Sequence, residues 1–278
     1  RHERKVIPMY TPRFSARRAL FGAALFLFAA LFFLIPARAE GETDLSYAMD
    51  VWLDAQSASL GVEMRVTVTN DSTDPWEELC FRDFMASVIA EACTRTDEAL
   101  DLQSGILSAS CAGAALDVRV DAADASIVHV ALKTPLASGE SCEIALSFAA
   151  DIPEGGLRCG YFPLNAESGE GRTFELAQFY PMLAVYENGE WVADPYIVDG
   201  ECFYSRCADY DIRLRVPEGD TVAASGEETE EAPGQWRIRA ERMRDVTIVI
   251  SNELDAVSAD AGGVAVNSYY ARGDETHR

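Results

Sequence analysis

Hydrophobic and polar residues alternate at every second position in two stretches near residue 50. The alternation runs from Tyr47 to Asp54 and again from Val62 to Thr69. Because successive side chains of a strand point to opposite faces of the sheet, each stretch predicts a half-buried antiparallel strand. The run from Asn70 to Pro75 consists of turn-forming residues and ends the second strand.

The same alternation returns along most of the chain, and only residues 85–99 have a helical pattern. Residues 135–139 predict a hairpin turn between two of the later strands, and residues 226–234 predict a solvated hairpin loop. Many short strands separated by turns predict an all-β fold, an antiparallel β sandwich or saddle. The later predicted strands are Ala115–Val120, Ile127–Leu132, Cys142–Phe148, Tyr210–Val216, Trp236–Ala240, Val246–Ile250 and Val264–Tyr270.

An uncharged apolar run from Ala19 to Ile35 precedes these strands. Arginines flank it on the amino side, and small residues at Ala37 and Ala39 follow it, which is typical of a secretory signal cleaved before Glu40. As a helix the run would span about 25 Å, slightly less than a hydrocarbon core of about 30 Å, so an uncleaved membrane anchor is the alternative. We therefore divide the chain into a signal peptide or signal anchor (1–39), a linker (40–44), a β domain (45–271) and a truncated end (272–278).

The net charge is −23, and because residues 1–39 hold seven bases and one acid, the rest of the chain carries −29. An acidic surface repels phosphate backbones, which excludes nucleic acid as a partner. The apolar run and the charge together predict an exported protein, either secreted or anchored in the membrane through residues 19–35 with the β domain outside the cytoplasm.

All seven cysteines lie in the part predicted to be exported, where disulfides are permitted. The odd count predicts one to three disulfides and one buried free thiol, with Cys202 and Cys207 close enough in sequence to staple one loop. Zinc binding is the competing interpretation, but the sequence has no C-x-x-C pair and no histidine near a cysteine.

Residues that carry hydrolytic chemistry are missing. The three histidines, His2, His129 and His277, are far apart in sequence, whereas an H-E-x-x-H metallopeptidase needs two histidines one helical turn apart. No G-x-S-x-G elbow and no glycine-rich phosphate loop is present. His129 lies within a predicted strand and is interpreted as a structural residue. The sequence predicts no catalytic residue, no metal ligand and no cofactor in this chain.

A succession of short motifs resembles a known family. Residues 176–186 read LAQFYPMLAVY, residues 189–191 read GEW, residues 194–196 read DPY, and residues 203–217 read FYSRCADYDIRLRVP. Their order and spacing resemble the N-terminal domain of bacterial aminopeptidase N-like zinc metallopeptidases, the gluzincin family. The resemblance extends over residues 45–271 and includes the segment 240–245.

In that family the N-terminal domain is a β saddle packed against a thermolysin-like domain that holds zinc. The resemblance therefore implies a downstream catalytic domain as partner, a peptide as substrate, and zinc only in that absent domain. The family's pocket contains a glutamine that reaches the substrate, and Gln178 occupies the matching position. A second polar position of the pocket falls on Tyr180, where this chain departs from the pattern. A strand residue at a domain face is the alternative interpretation of Gln178.

The sequence leads to two hypotheses about function. In the first, the chain is the non-catalytic N-terminal domain of an exported zinc aminopeptidase-like protein, inactive alone, that shapes the pocket for the amino end of a peptide. In the second, it is a free-standing extracellular β-sandwich that binds without catalysis. The first hypothesis also predicts that part of residues 176–204 is exposed and apolar, because a partner domain would cover it.

Overall fold

The computed structural model describes residues 44–95, 100–163, 171–197, 200 and 202–273. The predicted signal or anchor segment 1–39, most of the linker 40–44 and the end after residue 273 lie outside these residues. Everything described belongs to one unit that extends from Thr43 to Arg278. Within the described ranges no helix is long and apolar enough to cross a bilayer.

The described residues fold mostly into β-strands, as the alternating pattern predicts. In chain order the strands are Leu45–Asp54 (β1), Ser59–Thr69 (β2), Trp76–Arg82 (β3), Ser104–Cys111 (β4), Ala114–Ala115 (β5), Asp117–Val120 (β6), Ile127–Leu136 (β7), Ser141–Asp151 (β8), Cys159–Pro163 (β9), Arg172–Leu176 (β10), Met182–Leu183 (β11), Val185–Glu187 (β12), Glu190–Val192 (β13), Ala208–Arg215 (β14), Thr221–Ala224 (β15), Glu227–Ala232 (β16), Gln235–Met243 (β17), Ile248–Ser251 (β18), Leu254–Asp260 (β19) and Ala265–Ala271 (β20). One helix, α1, extends from Phe84 to Thr94 between β3 and β4.

Three larger sheets form the body of the fold. The first has the order β16-β17-β14-β1-β2-β8-β4-β5, and only its β1–β14 pair is parallel. The second has the order β11-β3-β7-β6 and the third β15-β18-β10-β9, while β12–β13 and β19–β20 form separate hairpins. Along β1 every second residue is buried, and its inward side chains join those of the other two large sheets in one core. The antiparallel all-β prediction is therefore confirmed.

Helix α1 begins where Asp83 caps its amino end. The Asp83 carboxylate accepts hydrogen bonds from the backbone N–H of Ala86 (3.2 Å) and from the hydroxyl of Ser104 (2.9 Å). Such a cap satisfies a backbone donor that the first turn leaves free. The helix turns Phe84, Met85, Val88, Ile89 and Ala92 toward the core at helical spacing. Burial raises the pKa of Asp83 to about 6, against the hydrogen bonds from Ser104 and the helix that lower it.

The hairpin predicted at residues 135–139 is wrong. Strand β7 lies in the second sheet between β3 and β6, whereas β8 lies in the first sheet between β2 and β4. The connection crosses between sheets and is held by the turn after β2: Asn70 Nδ2 donates to the Leu136 carbonyl (2.8 Å), and the Gly139 N–H donates to the Asn70 carbonyl (2.7 Å). Strands β7 and β8 thus pair with strands of two different sheets. The turn residues between them do not indicate this difference.

The solvated loop predicted at residues 226–234 is also wrong, because most of it forms the edge strand β16. Its register with β17 places Glu227 opposite Arg239 and Thr229 opposite Arg237. Opposite charges on neighbouring strands favour this pairing, and a charged edge strand resists pairing with other chains. The acidic run can therefore form a strand, because β17 places arginines opposite it.

All seven cysteines are free thiols in the structure, so the predicted disulfides are absent. Cys202 is buried while Cys207 is exposed, and no bond staples the loop between them. Cys80 and Cys159 are fully buried, which raises the pKa of the Cys159 thiol to about 12. These thiols pack as small apolar side chains.

Candidate functional site

Gln178 lies in the short connection between β10 and β11, in a backbone conformation that glutamine rarely adopts. Its φ is +49°, in the left-handed region where a side chain with a Cβ costs about 1 to 2 kcal/mol. Non-glycine residues in this region persist only where their surroundings hold them, and they are found preferentially at functional sites. Contacts with neighbouring residues must therefore hold Gln178 in this conformation.

Asp245 holds Gln178 from the loop between β17 and β18. Its carboxylate accepts hydrogen bonds from the side-chain Nε2 and the backbone N–H of Gln178. It also accepts from the backbone N–H of Val246 (2.7 Å) and lies 3.2 Å from the hydroxyl of Tyr180. Burial raises the pKa of Asp245, while these four donors lower it. One half-buried carboxylate thus organises the whole connection.

Three tyrosines pack beneath Asp245. The rings of Tyr47 and Tyr210 are stacked with centroids 5.2 Å apart, and Tyr180 meets Tyr47 edge to face at 5.4 Å. The hydroxyls of Tyr180 and Tyr210 lie 3.0 Å apart, and the Tyr210 hydroxyl donates to the carbonyl of Arg244 (3.3 Å). Burial raises the pKa of all three hydroxyls, so they remain protonated at neutral pH. The tyrosines form a rigid, uncharged floor for Asp245.

The side-chain carbonyl oxygen of Gln178, Oε1, is buried and has no hydrogen-bond partner. An ionised carboxylate can only accept hydrogen bonds, so the amide must turn its NH₂ group toward Asp245 and its carbonyl oxygen away from it. Leaving a buried acceptor without a donor costs about 1 to 3 kcal/mol. By contrast, the orphan Oδ1 of Asp211 belongs to a carboxylate whose other oxygen binds Arg237. The side chain of Gln178 therefore contains a buried hydrogen-bond acceptor without a donor.

Hydrogen bonds join two other segments to the sequence neighbours of Gln178 and Asp245. The Ala177 N–H donates to the carbonyl of Arg158 (3.0 Å), and the guanidinium of Arg158 lies over the ring of Phe203 at 4.4 Å. On the other side the Ser205 hydroxyl donates to the carbonyl of Arg244 (3.0 Å), next to Asp245. Arg158 thus contacts the residue before Gln178, and Ser205 contacts the residue before Asp245.

Of the two predicted substrate-binding residues, the structure brings both to Asp245 but buries them unequally. Gln178 is partly exposed, whereas Tyr180 has no exposed surface and its hydroxyl contacts Asp245 and Tyr210. Contact with a peptide stays a prediction for both. Asp245 itself was not predicted, although it closes the segment 240–245 that carries part of the family resemblance.

The predicted apolar surface within residues 176–204 is found only in its second half. Ile197 and Tyr204 are 56% and 49% exposed. In its first half Phe179 and Tyr180 are fully buried, and Trp191 packs against Trp76 with ring centroids 4.8 Å apart. Most aromatic side chains of the segment therefore lie in the core or pack against it.

Candidate metal ligands do not cluster in the described part of the chain: no group of three or more His, Cys, Asp and Glu residues there could hold a metal ion. His129 is half-buried on β7, and its Nδ1 lies 2.7 Å from Glu78 Oε1. Arg119 also lies within 3.8 Å of Glu78. Glu78 on β3 thus contacts both His129 on β7 and Arg119 on β6.

Solved structures similar to this chain are found, whereas the comparisons with protein families and curated proteins give no match. No protein-family model matches the chain, and no curated protein matches it. A mutant of a two-domain M1 zinc metallopeptidase bound to L-tryptophan superposes with a TM-score of 0.50 and 18% identity, over 84% of this chain and 49% of that chain. An M1 zinc metallopeptidase from Deinococcus radiodurans gives a TM-score of 0.50 and 18% identity, over 83% and 48%.

At this identity the likeness establishes the fold. It agrees with the resemblance carried by the motifs, and this chain spans about half the length of the structures that it matches. The chain thus has the fold of about half of an M1 zinc metallopeptidase.

Proposed function

We propose that this chain is the non-catalytic N-terminal domain of an exported zinc aminopeptidase-like protein, and that Gln178 receives the amino end of a peptide. The observation that carries the proposal is the unpaired, buried carbonyl oxygen of Gln178. A peptide's terminal ammonium group offers three N–H donors, one of which can satisfy this oxygen. The carboxylate of Asp245 adds negative charge on the far side of the amide.

In this proposal the chain binds the peptide, and a separate domain carries out the hydrolysis. Gln178 and Asp245 are suited to orient a peptide amine, and holding a reactant in place is itself a large part of catalysis. We place zinc in a downstream catalytic domain, as the family resemblance implies. Among the described residues, no group of three or more His, Cys, Asp and Glu could hold a metal ion. The exposed side chains of Ile197 and Tyr204 are candidates for contact with that domain.

The first test is the coding sequence beyond the codon for Arg278. We expect an H-E-x-x-H motif and a later glutamate there. An open reading frame that ends without them would favour the alternative, a free-standing extracellular binding module.

The second test measures turnover of aminoacyl anilides by the complete protein. We expect Gln178→Ala to raise KM about tenfold or more, because it removes the acceptor for the substrate's amine. Gln235→Ala, which removes an exposed glutamine on β17, is the matched control and should leave both kcat and KM unchanged. If Gln178→Ala behaves like this control, the proposed role of Gln178 is wrong.

Export belongs to the same proposal and is tested separately. The apolar run 19–35 with alanines at 37 and 39 predicts a mature protein that begins at Glu40. Amino-terminal sequencing of the protein recovered from outside the cytoplasm would give this start. Recovery of the run intact would instead identify a membrane anchor.

A further inference from the structure

We propose that Asp245 is a positioning residue that decides which end of the Gln178 amide faces the ligand, and thereby makes the site selective for a free amine. The inference rests on the proposed function of Gln178 and extends it to a residue that does not touch the ligand. It comes from the hydrogen bonds around Asp245 and not from the family resemblance.

The geometry links the two residues at two points. Asp245 accepts from both the side-chain Nε2 and the backbone N–H of Gln178, so it holds the left-handed backbone and the amide at once. The remaining capacity of the carboxylate is taken by Val246 and Tyr180. Because Tyr180 is buried against Tyr210, the carboxylate has little freedom to turn.

The two ends of an amide have opposite hydrogen-bonding character, which makes its orientation a chemical choice. Facing an ionised carboxylate, the amide turns its NH₂ inward and offers its carbonyl oxygen, an acceptor, to the ligand. Facing a protonated carboxyl group, the amide can accept inward and offer NH₂, a donor, instead. A donor at this place would repel an ammonium group. The ionised form of Asp245 is therefore the form that selects amines.

Burial raises the pKa of Asp245 above the ordinary value of an aspartate. The titratable groups that face it are Tyr47 on β1, Cys159 on β9, Tyr180 in the connection and Tyr210 on β14. Burial raises the pKa of each of these four well above neutral pH. Two arginines are nearby: Arg206 acts on Tyr47 by its charge, and Arg244 precedes Asp245 in the sequence.

The orientation can be measured without a ligand, because the full chain contains only four glutamines, at positions 56, 103, 178 and 235. Labelling glutamine with ¹⁵N in the full chain, in detergent micelles if the apolar run is retained, yields four side-chain NH₂ signals. Gln178→Ala assigns the signal of interest, and the exposed Gln56 and Gln235 serve as internal references.

We expect the Gln178 NH₂ signal to be displaced from the reference signals and to move as the pH is lowered through the titration of Asp245. In Asp245→Asn the movement with pH should disappear, because an asparagine can either donate or accept and does not titrate. Asp83→Asn, which neutralises the buried carboxylate that caps α1, is the control and should leave the movement unchanged. A wild-type Gln178 signal that stays constant with pH overturns the proposal even if the Asp245 variant fails to fold.

The selectivity is measured in the same spectra with L-leucinamide as probe and N-acetyl-L-leucinamide as the control that lacks a free amine. Wild-type protein should bind L-leucinamide in preference to the acetylated compound, and Asp245→Asn should weaken L-leucinamide binding about tenfold. The loss should vanish in a Gln178→Ala background, because Asp245 acts through Gln178.

The possible failures are distinguishable. If Gln178→Ala leaves L-leucinamide binding unchanged, the proposed function of Gln178 fails, and the selectivity assigned to Asp245 fails with it. If Gln178→Ala abolishes binding but Asp245→Asn does not weaken it, the proposed function stands and the positioning role is wrong. An effect of Asp245→Asn that persists undiminished in the Gln178→Ala background would show a structural or direct role instead.

Discussion

Two carboxylates, the buried Asp83 and the half-buried Asp245, differ in what they leave unsatisfied. Burial raises the pKa of both, and both accept hydrogen bonds from backbone N–H groups and from a hydroxyl. The bonds of Asp83 go to the start of α1 and to Ser104, which is the ordinary work of a helix cap. Asp245 instead holds Gln178, whose carbonyl oxygen remains without a partner and whose backbone is strained.

The comparison teaches that burial of a charge does not identify a site. A carboxylate that completes the hydrogen bonding of its surroundings is explained by the fold. A carboxylate that holds a neighbour in an unfavourable conformation, with an acceptor left free, is not explained by the fold and points to a ligand. Three substitutions test whether the two regions differ in this way.

The largest expected effect is that of Asp245→Ala on stability. It leaves Nε2 and N–H of Gln178, the Tyr180 hydroxyl and the Val246 N–H without their acceptor, and we expect a loss of about 2 to 4 kcal/mol in the free energy of unfolding. Urea unfolding followed by circular dichroism measures it. A loss below about 1 kcal/mol would mean that water replaces the carboxylate and that Asp245 holds nothing in place.

The second effect is a dependence of stability on pH at Asp83. The folded pKa of about 6 lies above the ordinary value of about 3.9, so the folded state binds this proton more tightly. The resulting stabilisation is fully present below about pH 4 and is lost as the pH rises through 6, a change of about 2 to 3 kcal/mol.

Asp83→Asn keeps the cap but removes the titration. The difference in unfolding free energy between wild type and this variant should therefore change by that amount between pH 4 and pH 7. A difference that does not vary with pH would show that Asp83 is solvated in the folded protein.

The smallest effect on stability is expected at the proposed binding residue itself. Gln178→Ala removes the hydrogen bond to Asp245 but also removes the buried carbonyl oxygen that has no partner, so the two contributions oppose each other. We expect a change within about 1 kcal/mol in either direction. A loss as large as that of Asp245→Ala would indicate that Gln178 is mainly a structural residue of the β10–β11 connection.

Much of the fold was predictable because it depends on local periodicity. Strands β1, β2 and β14 bury every second residue, as the alternation of their sequences predicts. Helix α1 lies within the one stretch predicted to be helical. Two of the wrong predictions, the hairpin at 135–139 and the loop at 226–234, depend on which strand pairs with which, and pairing is decided by residues far away in the chain.

The candidate site divides in the same way. Motif order in the sequence was sufficient to single out Gln178 and Tyr180, but not to separate a partly exposed amide from a buried ring. Asp245 lies 67 residues after Gln178, and no local pattern connects them. Only the packing of β10 beside β18 in the third sheet brings the two loops together. Alternation is a property of neighbouring residues and can be read along the chain, whereas a hydrogen bond across sheets exists only after the strands have found their partners.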